Sequence, residues 1–395
     1  MALGPRHSGY VDGVTEYGLI VVGSGPAGVA AAEAFREHNR DEPMLLVTQD
    51  RDVPYERPPL SKDYLRGETD EIELHPAEWF DERGIDVVRG QRVDAIDVAA
   101  HEISFGAGSQ SFRSLVLATG CAPKPLAVPG GASALLLRSR ADAETLRATA
   151  REAESAVIVG AGFIGCEAAA SLSALGLAVT LVAPDPVPQA RRLGNAAGRR
   201  IVAALEDAGV RYVGGASVEG VLENGVTLDD GVTIRADVIL AATGVDPHSA
   251  LARDAGLEIA NSRILVGSDM RTSAESVYAA GDVAMAYNCT AERSLAVEHW
   301  QDAIDHGTVA GTNASGGSAE WDGVPGFWTT IGPLTLKYHA WGDGYEESTL
   351  VEHDDGWTVW YATQGATVGV LTCNADDDYE RAEGLIADGA PPPAA

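Results

Sequence analysis

The chain has 395 residues, more than one hydrophobic core usually organises, so two or three domains are expected. Acidic residues number 58 against 28 basic ones, a net charge of -30 that argues against nucleic acid and anionic membrane as partners and reads as a solvating, salt-adapted surface. No run of 18 apolar residues occurs and the first 16 residues lack a basic start followed by an apolar stretch, which points to a cytoplasmic protein without membrane association.

Residues 1–16 read as a polar leader and 17–22 as a buried first strand. Gly23-Ser24-Gly25-Pro26-Ala27-Gly28 follows directly and opens an alanine-rich helix over 28–38. In a strand–fingerprint–helix unit the first glycine permits the tight turn, the second lets backbone approach a pyrophosphate, and the third lets helix pack on strand. The helix start then offers free amides and the positive end of its dipole to the phosphates. Residues 45–48 make the next strand, and Asp50 stands 22 positions past Gly28, where an acid either bonds a ribose hydroxyl or serves as an ordinary turn residue. The run 115–117 ends in Ala118-Thr119-Gly120.

The pattern then repeats. A strand at 156–159 leads into Gly160-Ala161-Gly162-Phe163-Ile164-Gly165, a helix at 163–175 and a strand at 178–182, and a second strand end closes on Ala242-Thr243-Gly244. One such fingerprint is weak evidence, whereas two in matching context imply that one chain holds two dinucleotides. Glu298, His299 and Trp300 precede a helix running through Val309. From about Trp321, with Phe327-Trp328 at its start, the alternating runs 335–340, 356–363 and 367–372 and a helical 379–386 read as three antiparallel strands and a helix. The fold class is therefore α/β, with two Rossmann-like dinucleotide-binding domains and a small C-terminal α+β domain. Four cysteines, Cys121, Cys166, Cys289 and Cys373, lie far apart with no Cys-x-x-Cys spacing, and the nine histidines form no metal motif, so no metal is assigned. Cys166 reads as a small buried residue on a tightly packed helix.

The order of first fingerprint, Tyr55-Glu56-Arg57-Pro58-Pro59-Leu60-Ser61-Lys62, Ala118-Thr119-Gly120, second fingerprint, Ala242-Thr243-Gly244 and Tyr278-Ala279-Ala280-Gly281-Asp282 resembles the FAD-dependent pyridine nucleotide-disulfide oxidoreductase superfamily over nearly the whole chain. More narrowly, the Arg-Pro-Pro-Leu-Ser-Lys segment is similar to that of the ferredoxin, putidaredoxin and rubredoxin reductases; the disulfide-reducing branches carry reactive cysteines instead. The resemblance implies an FAD domain built from residues 1–125 and 246–320, an NAD(P)H domain at 126–245 and an interface domain at 321–395.

It also implies roles for individual residues. Gly23, Gly25, Pro26, Ala27 and Gly28 would hold the FAD pyrophosphate, Asp50 the adenosine ribose, and Asp282 after Gly281 a ribityl hydroxyl. Ala118, Thr119, Gly120 and Arg57 join the flavin side; Gly160, Gly162, Phe163, Ile164, Gly165, Arg191 and Gly244 the nicotinamide side. Lys62 would stand beside the flavin, paired with Glu167, as a tuning cation with no proton relay. Glu298, His299, Trp300 and Trp328 match segments that lie near the flavin and nicotinamide, although the two indoles suit a packing role equally.

Two choices stay open in the sequence. Ala183 stands where NADH-preferring relatives carry an acid, so Arg191 or Arg192 is available to a 2′-phosphate; Asp185, two residues on, is available to a 2′-hydroxyl instead. The acceptor is a ferredoxin or a similar small iron–sulfur carrier, docked through local arginines such as Arg83, Arg89, Arg92, Arg191 and Arg192, or else a small quinone. A third alternative is a redox-responsive binding role like that of apoptosis-inducing flavoproteins. The last domain is a candidate homodimer interface, opposed at low salt by its acidity.

Overall fold

The computed structural model describes residues 16–393, so residues 1–15 of the expected leader lie outside the described residues. The chain divides into two compact units, each assembled from separate segments. The first takes in the chain up to Glu56, Glu73–Cys121 and Pro247–Gly323; the second takes in Arg57–Ile72, Ala122–Asp246 and the chain from Val324 onward.

The core of the first unit is a seven-stranded sheet. Strands Ile85–Val88, Met44–Val47, Tyr17–Val22, Gly108–Leu117 and Val277–Ala279 run parallel in that order. Every residue of Tyr17–Val22 and of Met44–Val47 is buried, as continuous apolar runs must be in a parallel sheet covered on both faces. The first half of Gly108–Leu117 turns away to pair antiparallel with Glu102–Phe105, and that strand pairs with Val93–Asp97. Helix Pro26–His38 packs on helix Trp300–Ala314. A Cβ placed on Gly307 or Gly311 would lie 2.2 Å from the carbonyl oxygen of Ala27 or Ala31 respectively, so the two backbones meet where one helix has no side chain and the other has methyls. Arg36 closes the far end of the first helix by donating to the carbonyls of Asn39, Arg40, Glu42 and Gly84.

The second unit holds a four-stranded parallel sheet in the order Arg211–Gly214, Ala178–Ala183, Ser155–Val159, Val238–Ala241, with helix Phe163–Ala174 entered from the third of these. Its C-terminal segment is a five-stranded antiparallel sheet in the order Gly326–Ile331, Leu334–Ala340, Ala366–Cys373, Trp357–Thr363, Glu347–Glu352, packed against helix Asp376–Ala387 through Trp360, Val370, Ala382 and Ile386. Three strands were expected there, and five are found. Glu347–Glu352 is an edge strand with its first three residues and Glu352 exposed, which erases the alternation by which a strand is read. Gly326–Ile331 is a short run whose glycine start reads as a boundary. No helix among the described residues is long and apolar enough to cross a membrane.

Candidate functional site

Three groups of residues carry chemistry. The first is the turn between strand Tyr17–Val22 and helix Pro26–His38. Gly23 has φ +112°, and a Cβ on it would sit 2.2 Å from the carbonyl oxygen of Ala118; a Cβ on Gly28 would sit 2.0 Å from the carbonyl oxygen of Gly23. Any side chain at either position collides with backbone, which is why glycine is required. Gly25 is the N-cap and supplies no side-chain bond, and Pro26 occupies the first turn, so the amides at the helix start are left to an external acceptor.

Around this turn the sequence-expected residues converge within the first unit. Ser24 Oγ donates to Thr48 Oγ1 at 2.9 Å, and Asp50 accepts from Tyr55 Oη at 2.6 Å, so its carboxylate is held in one orientation. The Ala118-Thr119-Gly120 crossing is pinned by Thr119 Oγ1 donating to the His248 carbonyl (3.0 Å) and by the His248 amide donating to the Gly120 carbonyl (2.9 Å). Gly281, at φ +74°, brings Asp282 beside the fingerprint helix: a Cβ on Gly281 would lie 3.0 Å from that of Ala27 and 3.5 Å from that of Ala303. Cys121 Sγ donates to Asp282 Oδ2 at 3.1 Å. Glu298 pairs with Arg263, His299 Nδ1 lies 3.0 Å from Asp302 Oδ2, and half-buried Trp300 begins the helix. Deeper in that helix His306 is fully buried edge-on to Trp321, and burial pushes its imidazole down to about 4 against the opposing pull of Asp302 and Asp282.

The second group repeats the first in the other unit. Gly160 has φ +108° and would place a Cβ 2.4 Å from the Ala242 carbonyl oxygen; Gly165 would place one 2.0 Å from the Gly160 carbonyl oxygen. Gly162 is an N-cap with no side-chain bond, as Gly25 is. Phe163 packs on Phe327 with centroids 4.6 Å apart, and Gly244, at φ +109°, accepts from the Lys124 amide. The strand Ala178–Ala183 ends in a buried alanine, and Asp185 beyond it lies 4.0 Å from Arg191 Nε.

The third group is a polar cluster in the second unit. Glu167, 6% exposed, lies 3.1 Å from Lys62 Nζ through Oε2, accepts from Ser61 Oγ at 2.5 Å on the same oxygen, and accepts from Thr329 Oγ1 at 2.6 Å through Oε1. Ser171, one turn along the same helix, donates to the Ser61 carbonyl at 2.8 Å. A buried carboxylate thus receives bonds from both sides, as its burial demands. Arg57 donates to the Arg138 carbonyl at 2.8 Å. Trp328, adjacent to Thr329 on the strand, points to the opposite face and is 49% exposed. Ser61 and Thr329 were not anticipated as partners of Glu167. Ser61 was legible as the neighbour of Lys62, but Thr329 lies 162 positions from Glu167 and carries no local signal. Cys166 is buried, which raises its thiol well above the ordinary range, and no disulfide links any of the four cysteines.

The residues fit two dinucleotides: in each cradle the first and third glycines leave no room for a methyl group, the amides at the helix start are uncapped, and the turn lies at the carboxyl end of its parallel sheet. Fold and sites together define an FAD-dependent NAD(P)H oxidoreductase with two Rossmann-like domains. The chain belongs to the pyridine nucleotide-disulphide oxidoreductase family, whose model matches residues 17–307. It is 34% identical over 393 residues to the ferredoxin reductase subunit of 5,5'-dehydrodivanillate O-demethylase from Sphingobium sp., with 94% of each chain covered. It is 32% identical over 392 residues to the ferredoxin–NAD(+) reductase component of the anthranilate 1,2-dioxygenase system from Burkholderia cepacia, with 95% of each covered. Among solved structures, the covalent putidaredoxin reductase–putidaredoxin complex matches with TM-score 0.89 and 26% identity, covering 94% of this chain and 93% of that one.

Proposed function

We propose that the protein carries FAD on the Gly23–Gly28 cradle, takes NAD(P)H on the Gly160–Gly165 cradle, and delivers electrons to a ferredoxin or similar small iron–sulfur protein. The observation that carries this reading is the duplication: two glycine pairs clash with backbone in the same way, at 2.0 Å for each third glycine, in two separate sheets. FAD, when bound, supplies a two-electron acceptor that returns its electrons singly. The chain's own residues bind, orient and tune. Asp50, fixed by Tyr55, is assigned to the adenosine ribose and Asp282 to a ribityl hydroxyl of FAD, with Ala118, Thr119, Gly120, Glu298, His299 and Trp300 around them. On the coenzyme side stand Phe163, Ile164, Arg191 and Gly244.

Lys62 and Glu167 are assigned to tuning the flavin. What supports this is their preorganisation, since an ammonium held on a carboxylate that two hydroxyls already orient loses little freedom when it acts on a cofactor. Trp328 and Arg57 are assigned to the cofactor on resemblance. No disulfide joins any of the four cysteines, and none of them is assigned a role in the electron path. A cytoplasmic location is part of the same proposal.

The test is to reduce the FAD-loaded protein with one equivalent of NAD(P)H without oxygen and mix it with a plant- or adrenodoxin-type [2Fe–2S] ferredoxin. Prompt reoxidation coupled to ferredoxin reduction is expected. A flavin that stays reduced with every ferredoxin and yet reoxidises with a quinone contradicts the carrier assignment.

A further inference from the structure

Arg263, to which no role has been assigned, holds the turn that carries Asp282. Strand Arg263–Val266 runs parallel to Ala284–Asn288 with Ile264 opposite Ala284, so Arg263, one step back, stands beside the turn Gly281–Val283. Arg263 is itself delivered by a tight hairpin. Ala260 pairs with it across Asn261 and Ser262, which take φ +47° and +62°, the pattern of a two-residue type I′ turn. Ser249 Oγ donates to the Ser262 carbonyl at 2.7 Å and fixes that hairpin in place.

Along the guanidinium, Nε donates to the Asp282 carbonyl at 3.1 Å and Nη2 pairs with Glu298. Cys121 Sγ donates to Asp282 Oδ2 at 3.1 Å, so two separate segments hold the turn at its carbonyl and at its carboxylate. The Arg263 side chain is 14% exposed and that of Glu298 41%, and among the described residues Arg263 is the one cation paired with Glu298. As a stabilising bridge a partly exposed pair counts for little, so its weight lies in where it puts the two charges. Glu298 opens the Glu298-His299-Trp300 segment, and Asp282 is assigned to the ribityl chain. One planar fork therefore ties together two segments assigned to FAD and cancels a carboxylate charge between them.

We infer that Arg263 is a positioning residue for FAD: it sets Asp282 against the ribityl chain and neutralises Glu298, so that the reduction potential of the flavin depends on the pair. This rests on the reading that the Gly23–Gly28 cradle holds FAD. Reduction adds negative charge to a flavin, and nearby charges tune it. With Arg263 removed, Glu298 opposes that charge and the potential falls; with Glu298 removed, the uncancelled guanidinium favours it and the potential rises. A packing role does not give opposite signs from the two halves of one pair.

The experiment measures the midpoint potential of the bound flavin by dye-equilibrated anaerobic reduction, and FAD affinity by fluorescence titration, in Arg263→Gln, Arg263→Lys, Glu298→Gln and the double variant carrying both glutamines. Glu298→Gln is expected to raise the preference for reduced over oxidised flavin by about fivefold, a shift of about 20 mV, and Arg263→Gln to lower it by a similar factor, with the double variant near the parent. Arg263→Lys, which keeps the charge and loses the fork, is expected to hold the parent's potential while FAD affinity falls by about tenfold. Single glutamine variants that leave the potential unmoved, or shift it in the same direction, overturn the inference, and so does a lysine variant that shifts it as far as Arg263→Gln. If Arg263→Gln does not fold, Glu298→Gln decides alone: a raised potential supports the inference and an unmoved one overturns it. Gly28→Ala separates the two levels. Full FAD content in that variant sinks the underlying reading, whereas loss of FAD there, with potentials unmoved in the pair variants, sinks the Arg263 assignment alone.

Discussion

Replacing Glu167 with glutamine keeps its size and removes its charge, and the geometry makes the consequence calculable. The native carboxylate serves three donors, Lys62 Nζ at 3.1 Å, Ser61 Oγ at 2.5 Å and Thr329 Oγ1 at 2.6 Å. A carboxamide has one oxygen for them and turns its own amide hydrogens toward the rest. Hydroxyls can rotate and accept, whereas an ammonium cannot. A hydrogen bond to a charged group contributes about 1.5–3 kcal/mol, and breaking a buried pair by removing one partner costs about 3–5 kcal/mol. Because the Lys62 side chain keeps 17% of its exposure and water can take part of the load, Glu167→Gln is expected to cost about 2–4 kcal/mol. Lys62→Met removes the orphaned ammonium, so the double variant should be more stable than the sum of the single losses by about 1.5–3 kcal/mol. Urea unfolding followed by circular dichroism, on four proteins matched for FAD content, measures the cycle, since bound cofactor shifts apparent stability. Single losses that add to within about 0.5 kcal/mol would mean that the two groups do not interact, and the account of the cluster would be wrong.

Two further outcomes follow from backbone clashes and from burial. Gly28→Ala forces a methyl to 2.0 Å from the Gly23 carbonyl and should yield protein without FAD, whereas Gly165→Ala, with the same clash at Gly160, should stay yellow and resist reduction by NAD(P)H; absorbance spectra of the purified variants decide, and full FAD content in Gly28→Ala refutes the cradle assignment. His306 is held neutral by burial, down to about 4 from 6.5, so between those values the unfolded chain binds a proton that the folded one does not. Stability is therefore whole above pH 6.5 and declines as pH falls toward 4, by at most about 1.4 kcal/mol per pH unit from this group. The urea midpoint of His306→Gln should fall less steeply over that window than that of the parent, and parallel slopes would refute the assignment.

The features legible in the sequence are those that a local backbone requirement dictates. Gly23 and Gly160 need positive φ, and Gly28 and Gly165 need to lie against a carbonyl, so only one residue type suffices and the pattern can be read residue by residue. The apolar runs 17–22 and 156–159 are visible for a similar reason, because a strand buried on both faces disfavours polar residues. What the sequence hides is long-range choice. Thr329 meets Glu167 across 162 positions, and Cys121 meets Asp282 across 161, through sheet registers that no window reveals. Gly307 and Gly311 share a four-residue spacing that fits close helix packing, yet the spacing does not say which helix is the partner. The exposed edge strand Glu347–Glu352 was missed because an edge that faces water has no alternation to show.

The central claim is that one chain holds both dinucleotides and passes a hydride between them. Anaerobic rapid mixing of the FAD-loaded protein with NADH and, in parallel, with NADPH tests it most directly. Full bleaching of the flavin by one molar equivalent of coenzyme is expected, in a phase that saturates with coenzyme concentration. A flavin that stays oxidised with both coenzymes, in protein that is folded and fully loaded, would contradict it.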